Sequence, residues 1–203
     1  MDHHTSTVPE VDTASETSRP VPTPPEKETS SFWELVRFAI IAIIIVFPIR
    51  IFIAQPFIVA GSSMEPTFEN GQYLIVDQLS YRFDTPTRGD VVIFRYPRDP
   101  SKFFIKRVIG LPGDTVQIEG TAVRISDGEH PNGFLLDESH TGPFTEGTHL
   151  TVTLANDEYF VLGDNRDASS DSRVWGALDR DLIVGRAFLR LLPVSTIDVL
   201  PGQ

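Results

Sequence analysis

From Phe57 onward, apolar and polar positions change over in short runs. QYLIVDQ, DVVIFRY, FFIKRVIG, DTVQIE, TAVRIS, HLTVTL, EYFVL and IVGRAFLRLL each have the length and the β-branched or aromatic content of a strand. Turn-forming stretches such as TRGD, LPGD and SDGEHPNG separate them. No internal repeat recurs along this part of the chain. The pattern predicts a mostly-β domain, barrel-like or a sandwich, over residues 57–203, and the barrel-like antiparallel form is the one expected. Glu119 to Asp157 departs from the pattern, being weakly apolar and rich in Gly, His and acidic residues. It is predicted to form a smaller β excursion on the surface.

The preceding stretch, SFWELVRFAIIAIIIVFPIRIFIAQPF, behaves differently. No charge interrupts it between Arg37 and Arg50, and Ala39 to Val46 is almost entirely Ile and Ala. Adding the flanking apolar residues on both sides reaches the roughly 20 that a bilayer requires. A helix apolar on every side otherwise needs a large protein around it, and the β-rich remainder of the chain is small. A cleaved leader is disfavoured, because the segment ahead is long and acidic rather than short and basic. Residues 32–56 are therefore predicted as one N-terminal transmembrane helix, with the lipid bilayer as its partner. Lys27 and Arg37 lie before it and Arg50 after, so charge does not orient it. Residues 1–31 are polar and Pro-rich, with too little apolar surface to offset chain entropy, and are predicted to be disordered. His3 and His4 in that tail are read as incidental.

Composition narrows the function. A chain of 203 residues suits one globular domain with appendages. The net charge of -11 argues against a nucleic-acid partner, whose phosphates call for Lys and Arg. The absence of cysteine removes disulfides, thiol nucleophiles and thiolate metal sites, and fits any redox compartment.

Two adjacent serines in AGSSMEPTF, Ala60 to Phe68, raise the question of a nucleophile, which needs a partner to take its proton. His130, His140 and His149 all fall in the loop-rich excursion and read as surface residues, so a Ser-His-Asp triad is disfavoured. Lysine serves as a base only where burial disfavours its charge. Lys102 sits in the polar stretch PRDPSK and is expected in a loop. Lys106 is flanked by large apolar residues in FFIKRVIG, and Arg107 cannot deprotonate. Alternation places Phe104, Lys106 and Val108 on one strand face and Ile105, Arg107 and Ile109 on the other. On that pattern alone a solvent-facing Lys106 is preferred, and a buried one stays open. A third segment, GDNRDASSDSRVWG, is dense in polar groups. Asp164, Asn165, Asp167 and Asp171 do not have calcium-loop spacing, and Arg166 and Arg173 largely neutralise them. Asx-turns and Arg–carboxylate pairs are expected there, with no metal and no cofactor.

Taken in order, the apolar anchor ending in IRIFIAQPFIV, then GSSMEPTF, RGDVVIFRYP, FFIKRVIGLPGD and GDNRDASSDSRVWG resemble the bacterial type I signal peptidases. Those are membrane-anchored Ser/Lys endopeptidases, and the resemblance runs from about Ser31 to Pro193. It implies Ser63 as nucleophile, Lys106 as general base and Ser169 as the hydroxyl that positions the amine. It further implies Asp171 and Arg173 as braces, with Asp164, Asn165, Arg166 and Asp167 in the same scaffold loop. Some members carry a serine two positions before the nucleophile as an oxyanion donor. This chain has Gly61 there, as other members do, which implies a backbone N–H instead.

The implied substrates are exported preproteins, cut after a signal peptide with small residues at the first and third positions before the cut. Val59, Ala60, Met64, Phe68, Phe104 and Ile105 match residues that line the two small pockets. The implied setting is the bacterial cytoplasmic membrane, crossed once, with the tail in the cytoplasm and the β domain outside. Two rivals differ in class: a self-cleaving repressor-type Ser/Lys peptidase, which the anchor and acidic balance oppose, and a non-enzymatic tethered β domain that binds peptides.

Overall fold

The structure is a computed structural model that describes residues 31–48, 54–139, 141–142 and 149–202. The acidic tail, His140 and part of the predicted anchor lie outside the described residues. Helix α1 spans Ser31–Pro48, and its aromatic and aliphatic side chains are exposed. Its 18 residues extend about 27 Å at roughly 1.5 Å each, just short of a hydrocarbon core of about 30 Å. Among the described residues no helix is long and apolar enough to cross a membrane. The described helix runs to Pro48, and Ala54 to Pro56, predicted as the end of the anchor, belong to a strand.

That strand is β1 (Ala54–Ile58), which pairs antiparallel with β2 (Tyr73–Asp77). It stands at the end of the sheet, where Pro56 does not interrupt a ladder on both sides. The remaining strands of the main sheet are β3 (Val91–Tyr96), β4 (Asp99–Gly110), β9 (Glu158–Leu162), β10 (Leu178–Asp179) and β11 (Ile183–Leu192). Their order is β1-β2-β11-β3-β4-β9-β10, and β12 (Asp198–Val199) pairs with β11. Every pairing is antiparallel. All eight predicted strands are present; β1 and the two-residue strands were not foreseen.

The main sheet does not close. β1 and β10 are its two ends, so the barrel expected from the sequence is an open sheet. The apolar run in β3 is buried on both faces: Val91 and Ile93 join one core with Leu74, Val76 and Phe68, while Val92 and Phe94 join another with Val108 and Val161. Such two-sided burial explains why VVIF lacks alternation. Lys106 to Gly110 of β4 are buried without a break for the same reason.

The excursion is a second sheet with its own core. It comprises β5 (Thr115–Glu119), β6 (Ala122–Ser126), β7 (Phe134–Leu135) and β8 (His149–Thr153), in the order β7-β6-β5-β8. Val116, Ile118, Val123 and Ile125 alternate inward and pack with Ile109 and Phe160 from the main sheet. It begins at Thr115, a few residues earlier than the pattern suggests.

Candidate active site

Strand β4 carries Lys106 into the interior, where the residue is only 3% exposed. Its amine donates to Ser63 Oγ at 2.7 Å and to the Ile105 carbonyl at 2.8 Å, and it lies 5.6 Å from the centre of the Phe104 ring. The solvent-facing orientation preferred on alternation is therefore not the one adopted, because both faces of the sheet are covered at this point. Burial pushes the ammonium down to about 8 from an ordinary 10.5, while the charges of Asp171 and Asp164 pull the other way. A neutral amine beside a hydroxyl at hydrogen-bond distance can accept that hydroxyl's proton.

Ser63 stands on the turn that succeeds β1, anchored underneath by Met64 and Phe68, neither of which reaches the surface. The turn begins at Gly61, whose φ of 92° lies in the left-handed region that favours glycine. Asn70 Oδ1 accepts the Gly61 N–H at 2.9 Å. Among the described residues no acceptor takes the Ser63 N–H, which leaves it available as a backbone donor.

The loop Gly163–Gly176 lies directly behind. Asn165 N–H donates to the Ser63 carbonyl at 3.1 Å. Gly163 packs so closely that a Cβ there would sit 2.4 Å from the Ser63 carbonyl oxygen and 2.3 Å from Ser169 Oγ. Ser169 Oγ is buried and has no hydrogen-bond partner among the described residues; no bond joins it to Lys106. Asp171 caps α2 (Ser172–Trp175), accepts from Gly163 N–H at 3.1 Å and pairs with the Arg173 guanidinium at 2.8 Å. Arg107, pointing away from Lys106, makes a buried fork to Asp164 at 2.8 and 2.6 Å, and Thr67 Oγ1 donates to the same carboxylate.

A cleft of about 430 Å³ opens beside Ser63. Of the residues matched to the family's pockets, Val59, Ala60, Phe104 and Ile105 line this cleft, whereas Met64 and Phe68 lie beneath in the core. Phe57, Ile58, Leu74, Ile93, Phe103 and Ser170 complete its wall. Lys102 also reaches it, from strand β4 rather than the loop expected. On either side stand strand edges without partners among the described residues: β1, and β4 up to Lys106.

Residues 32–192 match the profile of the family described as Signal peptidase, peptidase S26. This chain belongs to that family. A probable signal peptidase I-2 of Synechocystis sp. is 39% identical over 192 residues, 91% of this chain and 83% of its own length. A signal peptidase I of Leptolyngbya laminosa is 36% identical over 202 residues, 92% of this chain and 97% of its own. The crystal structure of a signal peptidase I from Enterococcus faecalis V583 aligns with 51% of this chain and 97% of its own, at 30% identity and a TM-score of 0.43.

Within this family member, His149 is exposed on β8 and His130 is exposed in the loop between β6 and β7, where it hydrogen-bonds Asp127. Among the described residues no group of three or more His, Cys, Asp or Glu could hold a metal ion. Three contacts that shape the site carry no signal in the sequence: Arg107–Asp164, Asn70–Gly61, and a pair between half-buried Glu138 and buried Arg166. Each joins residues from separate segments, so no local pattern marks it.

Proposed function

We propose that this chain is a serine endopeptidase that removes N-terminal signal peptides from exported preproteins, using Ser63 as nucleophile and Lys106 as general base. The observation that carries this reading is the 2.7 Å contact between the two side chains, with the amine buried. Neutral Lys106 takes the Ser63 proton as Oγ attacks the scissile carbonyl. The Ser63 N–H faces the developing oxyanion, and preorganised donors of this kind supply several kcal/mol, about 3 each. The ammonium then protonates the leaving amine, which departs with the mature protein. Lys106, neutral again, draws a proton from water as that water attacks the acyl carbonyl, then returns the proton to Ser63 Oγ as the signal peptide leaves.

The substrate enters as an extended strand between the open edges of β1 and β4 and adds to the sheet by backbone hydrogen bonds. Small side chains next to the cut fit the shallow apolar wall formed by Val59, Ala60, Ile105 and their neighbours. The N-terminal apolar run, continued in sequence through Ile51, Phe52 and Ile53, anchors the enzyme in the cytoplasmic membrane with the β domain outside. Tethering there raises the local concentration of membrane-bound precursors.

The test is cleavage of a purified preprotein by the full chain in detergent. Ser63→Ala and Lys106→Met each abolish it, and processing at wild-type rate by either variant refutes the dyad. Recovery of the chain in the soluble fraction refutes the anchor.

A further inference from the structure

We propose that Glu138, in the small sheet's return loop, is a positioning residue for Ser63 and acts through the buried Arg166. The inference rests on the Ser63/Lys106 reading and assigns the excursion a part in it. The Arg166 side chain is wholly buried, and a guanidinium cannot shed its charge there, so it depends on fixed acceptors. Glu138 supplies a fork, with its two oxygens 2.9 and 2.5 Å from the terminal nitrogens of Arg166. From its other edge Arg166 Nε donates to the Gly163 carbonyl at 2.9 Å, and its own carbonyl accepts from Arg173 at 2.6 Å.

Gly163 to Arg166 is the bed on which the nucleophile's backbone rests. Asn165 N–H holds the Ser63 carbonyl, and Gly163 has no space for a Cβ against that same oxygen. A second tie from the excursion lies alongside: Gly142 N–H donates to the Asp164 carbonyl at 3.1 Å. Thr141 folds this segment back, giving both its N–H and its hydroxyl to the Glu138 carbonyl. The excursion thus clamps the Gly163–Arg166 segment from outside, at Glu138 and Gly142. Glu138 is not among the residues that line the cleft, so its loss falls on turnover rather than on substrate binding.

Kinetics of wild type, Glu138→Ala, Glu138→Gln, Ser63→Ala and Glu129→Gln, each as the full chain in detergent, test this, together with a crystal structure of the Glu138 variant. Glu138→Ala lowers kcat per folded molecule by about 10- to 100-fold with KM within about twofold, the size expected when a reacting group shifts by about an ångström. Glu138→Gln, which keeps an acceptor, falls between, and Glu129→Gln on the exposed side of the excursion matches wild type. In the crystal Ser63 Oγ leaves hydrogen-bond distance of Lys106 Nζ. If Glu138→Ala does not fold, Glu138→Gln carries both measurements. A kcat within twofold of wild type, a change confined to KM, or an intact Ser63–Lys106 contact overturns the proposal. Wild-type cleavage by Ser63→Ala would instead refute the peptidase reading, and the separation seen in the crystal would still decide the positioning.

Discussion

Ser63 Oγ and Lys106 Nζ lie 2.7 Å apart, although forty-three positions separate them in the chain. The amine also contacts a carbonyl and an aromatic ring, and burial holds its pKa at about 8. Only the unprotonated amine can accept the serine proton. At pH 7 about a tenth of the enzyme is therefore in the working form, and about half at pH 8. We expect kcat/KM to climb roughly tenfold per unit below pH 8 and to level off above about 9. A profile already flat at pH 6 would rule out Lys106 as the base.

The same burial makes Lys106 a burden on stability. Below about pH 8 the folded and unfolded chains both carry the ammonium, and the folded state bears its full desolvation cost. Between 8 and 10.5 the unfolded chain holds a proton that the folded chain has released, so stability rises with pH across that window. A shift of this size corresponds to about 3 kcal/mol. Lys106→Met removes the titrating group, so it should be more stable than wild type at neutral pH. That advantage should shrink by about 3 kcal/mol as pH rises from 8 to 10.5. Denaturant unfolding of both proteins across the window measures it, and a constant difference would contradict it.

Asp164 ties stability to the tuning of the amine. Its carboxylate is fully buried against Arg107 and also favours the charged form of Lys106. Asp164→Asn leaves the guanidinium buried without its counter-charge, at a cost of about 3–5 kcal/mol. Removing the negative charge also disfavours the ammonium, so the acid limb of the pH profile should move below about 8. A less stable enzyme with an unmoved or raised midpoint would show that Asp164 does not act on the lysine.

How much of the fold is legible in the sequence depends on the range of the interactions involved. Strands such as DVVIFRY and EYFVL are legible because β-branched and aromatic residues mark them locally. AQPFI is hidden because it continues the apolar run of the helix without a change of composition. The burial of Lys106 cannot be read from FFIKRVIG, where alternation permits either face. It depends on the segment from Val59 to Phe68 covering one side of the sheet and the second core covering the other. The open sheet was not foreseen for a similar reason: strand content does not say which edges stay unpaired. Family resemblance supplies the residues of the dyad, but not the ties from Glu138 and Asn70, which belong to pairs of distant segments.

Under the proposed function, the floor of the cleft sets which side chains fit beside the cut. Ile93 lines it while being only 3% exposed, so it forms the bottom of the groove rather than its rim. Leu74 and Val59 share its core and also line the cleft. Ile93→Ala removes three carbons from the floor and deepens the groove, at a stability cost of about 2–5 kcal/mol. Preproteins carrying Val or Leu in place of Ala at the first or third position before the cut should then be processed faster relative to the Ala substrate. One extra methylene accommodated in an apolar pocket is worth about 1–3 kcal/mol, so a relative gain of at least about tenfold is expected. Whichever position relaxes identifies the subsite that Ile93 floors. If neither does while the variant still cleaves the Ala substrate, small-residue selection resides elsewhere along the groove.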